Sequence, residues 1–525
     1  MFRIALLTAG AVAWTACIAW ADQPGKPPGA REAKDREGRL IGYHVGIQTN
    51  PITIVKDDLG QHRTGRPFAP TVMAQDYTAR RITTVAQWQT LRGDIVKRIQ
   101  GFFAKMPPRP APLKAKIEQT KDYPDYTTRL VSIAFDGDRR AKLCLVIPKG
   151  LPTPAPAIIM FGAYGNGIEK MTAGVYSRTY AVHLARLGVV TAVVEHFYDT
   201  YRTSGDGELI PLAASVHMGF RAVDYLLTLK GLVHPKQIAV FGHVYGAEVA
   251  GFVAGMDPRV AACATSCSSE RCMKPEMGYW GGPVWMGKPT AGLGCVQRYQ
   301  SYMFVGARSY DMGFSGEGHA SHAKVPFLSQ EFRGLIAPRP YLSIQEEPTL
   351  IDSLRPVYKL YGQADKVQII AHKWSTNLPV NVQEYMVDFF LKGMRGVKAG
   401  AAPEATVKQI LAGLKSSDPA SQLRGCRLAS WWKPAATAAE LDRLVSSTDP
   451  AVRRAAAKAL GRVGDMKRLI RHIKHTDPVV RIAVAESMHT HDDTDAWEAL
   501  AENQSDKDKW VREAKFQAMQ VNPEE

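Results

Sequence analysis

The sequence predicts an α/β protein, a mostly parallel sheet with helices on both faces, followed by an all-α array of stacked repeats. Three observations carry that expectation. From Leu143 to Lys392, short apolar β-branched runs alternate with stretches of helical periodicity, the pattern of a sheet buried on both sides. A strand, a turn with paired glycines (Gly242-His243-Val244-Tyr245-Gly246) and a small-residue helix follow one another in the middle of that alternation. Beyond residue 400 an Asp-Pro motif recurs with a period of about 30 residues.

The elements follow in order. Trp88, Leu91, Ile95, Ile99, Phe102 and Phe103 share one face of an amphipathic helix that Pro107 and Pro108 stop. Strands are expected at Leu143–Pro148, Ala157–Phe161, Val189–Glu195, Gln237–Phe241, Val260–Thr265, Tyr341–Ile344 and Lys366–His372. Helices are expected at Thr179–Leu187, Ala213–Leu229, from the glycine turn to Met256, and at Val382–Lys392. In the C-terminal part, Asp449-Pro450-Ala451-Val452-Arg453 returns as Asp477-Pro478-Val479-Val480-Arg481 and as Asp508-Lys509-Trp510-Val511-Arg512, with a frayed copy at Asp418-Pro419. Each Asp is placed to cap a helix, and each Pro occupies a first turn where its missing N–H costs nothing. These last 120 or so residues resemble HEAT-like repeats.

The chain begins as a secretory signal does: Arg3, an apolar stretch from Ile4 to Ile18, and small residues at Ala19-Trp20-Ala21. Export to a periplasm or the medium is therefore expected, with no membrane span after signal removal. The division that follows is a signal over 1–21, an N-terminal lead-in over 22–87 whose Pro-, Gly- and charge-rich start to about Leu40 is expected to be mobile, an α/β unit over 88–395, a linker over 396–404 and the repeats over 405–525. The net charge of +16 comes with no nucleic-acid motif, which leaves a solvated basic surface or an acidic glycan. Cys263, Cys267, Cys272 and Cys295 cluster, open between one disulfide and buried thiols, and they lack the paired C-x-x-C spacing of a zinc site. His319 and His322 lie in a glycine-flanked loop without a third ligand, so neither a metal nor any other cofactor is expected.

The chemistry should lie at the glycine turn, because a G-x-x-x-G step from strand to helix is the setting of a nucleophile elbow. The apex there should be Ser, and it is Val244, which has no nucleophilic atom and no proton to exchange. Around it, Arg221-Ala222-Val223-Asp224-Tyr225, His234-Pro235-Lys236-Gln237-Ile238-Ala239-Val240-Phe241-Gly242-His243 and Ala337-Pro338-Arg339-Pro340 resemble secreted bacterial α/β-hydrolases of the acetylxylan-esterase type. The resemblance runs from about Trp88 to Gly393 and implies an α/β-hydrolase fold. It places the nucleophile at Val244, the base at Thr376 ahead of Asn377, and a surviving acid at Glu346 or Glu347. It also places the oxyanion region at Gly162, Tyr164, Gly165, His243 and Tyr245.

Losses at both the nucleophile and the base predict a non-catalytic binding or scaffold protein with a carbohydrate or protein ligand. The competing expectation is a working carboxylester hydrolase that uses other residues, with His243, Ser266, Ser268 and Ser269 nearest to hand. A Gly-, Trp- and Tyr-rich stretch holding Tyr279, Trp280, Trp285, Tyr299 and Tyr302 is open between stacking on sugar rings and packing of an insertion. For the repeats, a protein partner and a purely structural role stand level.

Overall fold

The computed structural model describes residues 31–34, 40–44, 53–54, 82–266 and 329–519, apart from 104–105, 108, 110, 137–138, 164–166, 173–179, 196–210, 345–347, 372–377, 379, 399, 401, 489–493 and 503–504. The signal segment, the aromatic-rich stretch, the His319/His322 loop and Cys267, Cys272 and Cys295 lie outside the described residues. Among the described residues no helix is long and apolar enough to cross a membrane.

The N-terminal half is built on a ten-stranded sheet in the order β3-β12-β11-β10-β9-β7-β8-β6-β5-β4. Its parallel centre is β7 (Ala155–Phe161), β8 (Val190–Val194), β9 (Val233–His243), β10 (Ala262–Ser266), β11 (Tyr341–Ile344) and β12 (Val367–Ala371). Beside β8 run β6 (Arg139–Pro148), β5 (Tyr126–Asp136) and β4 (Lys116–Asp122), each antiparallel to its neighbour. Every residue of β7 is buried, as expected of a strand covered on both faces. With one antiparallel strand next to the swapped β8 and β7, and the sharp turn after β9, this is the α/β-hydrolase fold that the sequence predicts. At the other edge Thr53–Ile54 (β3), within the expected lead-in, pairs antiparallel with β12. Arg31–Lys34 (β1) and Leu40–His44 (β2) form a separate two-stranded ribbon.

The two sheet faces carry separate cores. One is covered by α1 (Val85–Phe102), α4 (Pro211–Thr228) and α5 (Tyr245–Met256), with Trp88, Ile95, Val223 and Phe252 fully buried. The intervening α2 (Ile168–Thr172) and α3 (Tyr180–Arg186) lie with the other face, which α8 (Val380–Arg395) also covers. Between α5 and α8 come α6 (Ser329–Gly334) and α7 (Pro348–Leu360). The expected strands and helices are all present, most of them longer at one end than periodicity suggested. Strands β4 and β5 are additions: all seven residues of β4 are exposed, so it carries no alternation to read.

The repeats run from α9 (Glu404–Lys415) through α10 (Pro419–Trp432), α11 (Ala438–Val445), α12 (Pro450–Val463), α13 (Met466–Ile470), α14 (Pro478–Met488) and α15 (Thr494–Glu502) to α16 (Lys509–Met519). The recurring Asp residues cap α10, α12, α14 and α16: Asp418 accepts from Ala420 and Ser421, Asp449 from Ala451 and Val452, Asp477 from Val479, and Asp508 from Trp510 and Val511. The recurring Arg reaches forward to the next repeat, Arg453 Nε to Asp477 at 2.9 Å and Arg481 Nε to Asp506 at 2.8 Å.

This array is seated on the sheet half. Trp431 is buried and donates its Nε1–H to Leu187 O at 3.0 Å, and Arg427 donates to Arg186 O at 2.6 Å. Two left-handed glycines make room: a Cβ on Gly188 (φ 93°) would lie 2.6 Å from Trp431 Nε1, and one on Gly150 (φ 69°) 2.2 Å from Leu423 Cβ. Leu187 and Gly188 precede β8, and Lys149 and Gly150 follow β6, which runs antiparallel to it. The array therefore occupies the edge where the parallel strands begin, opposite the edge where β9 ends at the glycine turn.

Candidate active site

At the C-terminal end of β9 the chain turns through Val244 into α5 with φ 56° and ψ −116°. Positive φ at a β-branched residue is a true outlier, because the branched side chain collides with its own backbone, and it costs on the order of 1–3 kcal/mol. The surroundings hold it there. Val244 N–H donates to Ser266 O at 2.8 Å, and Val244 O accepts from Ala247 N at 2.9 Å. Both flanking glycines are obligatory: a Cβ on Gly242 would lie 1.8 Å from Gly246 O, and one on Gly246 would lie 2.2 Å from Phe161 O and 2.8 Å from Gly162 O. Phe161 and Gly162 end β7, so the elbow is pressed directly against the start of the loop expected to bind an oxyanion.

The helix behind the elbow is pinned from several sides. Phe252 stacks on Phe332 with ring centroids 3.9 Å apart, and Arg333 Nη2 meets Glu248 Oε2 at 3.2 Å, both groups fully buried. Tyr245 OH and Ser215 Oγ of α4 share a hydrogen bond of 3.1 Å. The Tyr245 side chain thus points into the core, while its backbone N–H belongs to the first turn of the helix that follows the elbow. That N–H is the donor that an elbow of this kind aims at an oxyanion.

Of the expected site residues, the structure brings Gly162, His243, Val244 and Tyr245 together at the end of β9 and β7. Tyr164, Gly165, Glu346, Glu347, His372, Thr376, Asn377, Ser268 and Ser269 lie outside the described residues. The central expectation concerned the lost Ser/His pair, and here a finding has to be set beside it. His243 Nδ1 lies 3.2 Å from Ser266 Oγ, because the two residues face each other across the parallel pair β9–β10. A hydroxyl therefore does stand within hydrogen-bond reach of an imidazole next to the elbow. Sequence reasoning named both residues but could not pair them, since the contact depends on strand register.

The surroundings of that pair resemble a core. Ser266 is 0% exposed and His243 3%. The imidazole lies edge-on to Tyr180, ring centroids 5.9 Å apart, and Tyr180 OH accepts from Leu378 N–H at 3.2 Å. A catalytic serine must present its oxygen to an ester carbonyl about 3–3.5 Å away, whereas Ser266 Oγ presents its lone pairs to a neighbouring strand. Cys263, three residues back in β10, is buried, and its Sγ approaches Ala250 O at 3.7 Å.

The HEAT-repeat family matches residues 407–469. The hydrolase-family protein YtaP of Bacillus subtilis is 21% identical over 275 residues, spanning 48% of this chain and 80% of its own length. Similar solved structures include a glucuronoyl esterase from Solibacter usitatus, at a TM-score of 0.43 and 16% identity, covering 60% of this chain and 95% of that one. A Bacteroides fragilis protein described as an acetyl xylan esterase matches at a TM-score of 0.41 and 14% identity, covering 65% and 85%.

Proposed function

We propose that this chain is an exported, non-catalytic relative of carbohydrate esterases whose elbow-side cleft binds a carbohydrate, and that the array supports this unit. One observation carries the reading: Val244 stands in the strained elbow conformation with both obligatory glycines in place. The backbone that normally lifts a nucleophile is intact, and the atom that would attack is absent. Valine cannot form an acyl intermediate or pass a proton to a base. Loss of the nucleophile alone costs several orders of magnitude in rate, and the sequence adds a second loss at Thr376. A carbohydrate is favoured over an apolar ligand by the aromatic-rich stretch around Trp280 and Trp285 and by the basic net charge, which suits an acidic glycan.

The experiment is paired hydrolysis and binding by the purified mature protein. Turnover of an activated acetyl ester and of an acetylated glycan should stay at the level of a Val244→Ala control. Calorimetry should detect binding of acidic xylo-oligosaccharides. Turnover above the uncatalysed background that co-purifies with wild type would overturn the non-catalytic reading.

A second reading rests on the His243–Ser266 contact, with Ser266 as a displaced nucleophile and His243 as its base. It requires β9 and β10 to part far enough for an ester to reach a fully buried hydroxyl. Activity that survives Val244→Ala and is lost in Ser266→Ala would establish it.

A further inference from the structure

The seam between the sheet half and the array holds a closed charge cluster. Lys458 of α12 is buried and lies 2.9 Å from both Glu384 Oε1 of α8 and Glu486 Oε2 of α14. Arg462, one turn on, meets Glu384 at 3.2 Å and also pairs with Asp388, which in turn takes Lys433. Three cations thus face three carboxylates. Into this balanced set α3 inserts His183, 8% exposed, with Nδ1 3.2 Å from Glu486 Oε2. Its Nε2 is buried and meets no hydrogen-bond partner among the described residues.

That geometry fits one protonation state. A neutral imidazole donates its Nδ1–H to Glu486 and leaves a bare lone pair at Nε2. A second proton would put an N–H in a dry site with no acceptor and add an uncompensated charge to the cluster. We propose that His183 is an acid-sensitive latch: protonation of its ring loosens α3 from the array's inner helices α12 and α14. The charged groups that act on the ring are Glu486 from α14, Lys458 from α12 and Glu384 from α8, and Arg462 of α12 pairs in turn with Glu384. Burial first, and Lys458 second, hold the imidazole below its ordinary value, while Glu486 and Glu384 pull the other way. Both carboxylates are themselves held far below the ordinary range by Lys458 and its neighbours, so they stay ionised while the ring titrates.

The latch lies on a functionally placed helix. At the opposite end of α3 from the array contacts, Tyr180 supports His243 beside the elbow. The inference does not depend on which ligand the cleft takes.

Hydrogen exchange of the intact chain tests it. Between about pH 7.5 and pH 5.5, after correction for intrinsic chemistry, peptides from α3 should exchange about tenfold faster, while β5–β6 peptides stay within about twofold. His183→Gln, which keeps a side-chain donor and cannot be protonated, should abolish the acid-induced rise. His475, at the start of the α14 segment, is unaltered in that variant and serves as the internal comparison. The latch is refuted if wild-type α3 tracks β5–β6, or if the Gln variant keeps the rise. The wild-type comparison alone decides the matter if the variant does not fold.

Discussion

The elbow and the seam are both places where the fold holds something unfavourable, and they differ in what has been kept. At the elbow, Val244 holds a strained φ of 56° between glycines that tolerate no Cβ, and its side chain is a hydrocarbon. At the seam, Lys458, Glu384, Glu486 and Arg462 are taken out of water, and each has a partner of opposite sign, with the half-buried Asp388 pairing Arg462 at the rim. The backbone geometry at the elbow is locked by packing against β7, so removing the strain would mean rebuilding the turn. Buried charge has no such independence. An ion pair in a dry site is tolerable only while every partner remains, since the desolvation cost stays when one is removed. The seam therefore ties the array to the sheet half through buried ion pairs that neither half could keep alone.

The sharpest way to break this comparison is at the elbow's glycines. Gly246→Ala places a Cβ 2.2 Å from Phe161 O, a backbone atom that cannot rotate away. A loss of more than about 4 kcal/mol in urea unfolding is expected, at the upper end for point substitutions. A loss below about 1 kcal/mol would mean that the elbow is not pressed against β7. At the seam, Lys458→Met should cost about 3–5 kcal/mol, because two buried carboxylates lose their shared cation. Adding Glu384→Gln and Glu486→Gln to that variant should recover more than half of the loss. If the triple variant is no better than the single one, the cost lies in packing and not in stranded charge.

Acidification sharpens the same contrast at the seam, where His183, Glu384 and Glu486 are all held below their ordinary values. His183 is held low, so its neutral form contributes fully above about pH 6.5, and that contribution is lost as the pH falls below this value and the unfolded chain takes up the proton. Glu384 and Glu486 are also held low, so theirs is present above about pH 4.5 and is lost on further acidification. Urea midpoints should therefore fall in two steps on acidification, with His183→Gln diminishing the first step, to which the low-held His475 also contributes, and leaving the second unchanged. A single step near pH 4.5 in both proteins would remove the imidazole from the account.

Much of this was legible in the sequence for physical reasons that also explain the gaps. Strands β7 to β12 are apolar runs because both faces are covered, and the Asp-Pro caps announce the repeats because a helix start has strict local needs. Val244 was identifiable at the apex since glycines at 242 and 246 leave one place for it. Strand β4 escaped because exposure on every residue erases its pattern. The seam escaped for a different reason. Lys458 and Glu486 read as ordinary helix charges, and nothing local distinguishes them from solvated ones until α3 and α8 are folded against them. The same holds for His243 and Ser266, whose meeting depends on the register of β9 against β10.

That last pair supports the smallest and most selective test. If the 3.2 Å contact between His243 Nδ1 and Ser266 Oγ is a strand-to-strand tie, Ser266→Ala removes one neutral hydrogen bond in a dry site, at a cost of about 1–2 kcal/mol. Ester hydrolysis should not change, since the hydroxyl has no exposed surface from which to attack. A displaced nucleophile would behave in the opposite way. Catalytic groups are commonly kept at some expense to stability, so the alanine variant would melt at or above the wild-type temperature while any turnover vanished. Measuring stability and turnover on one preparation separates the two cases.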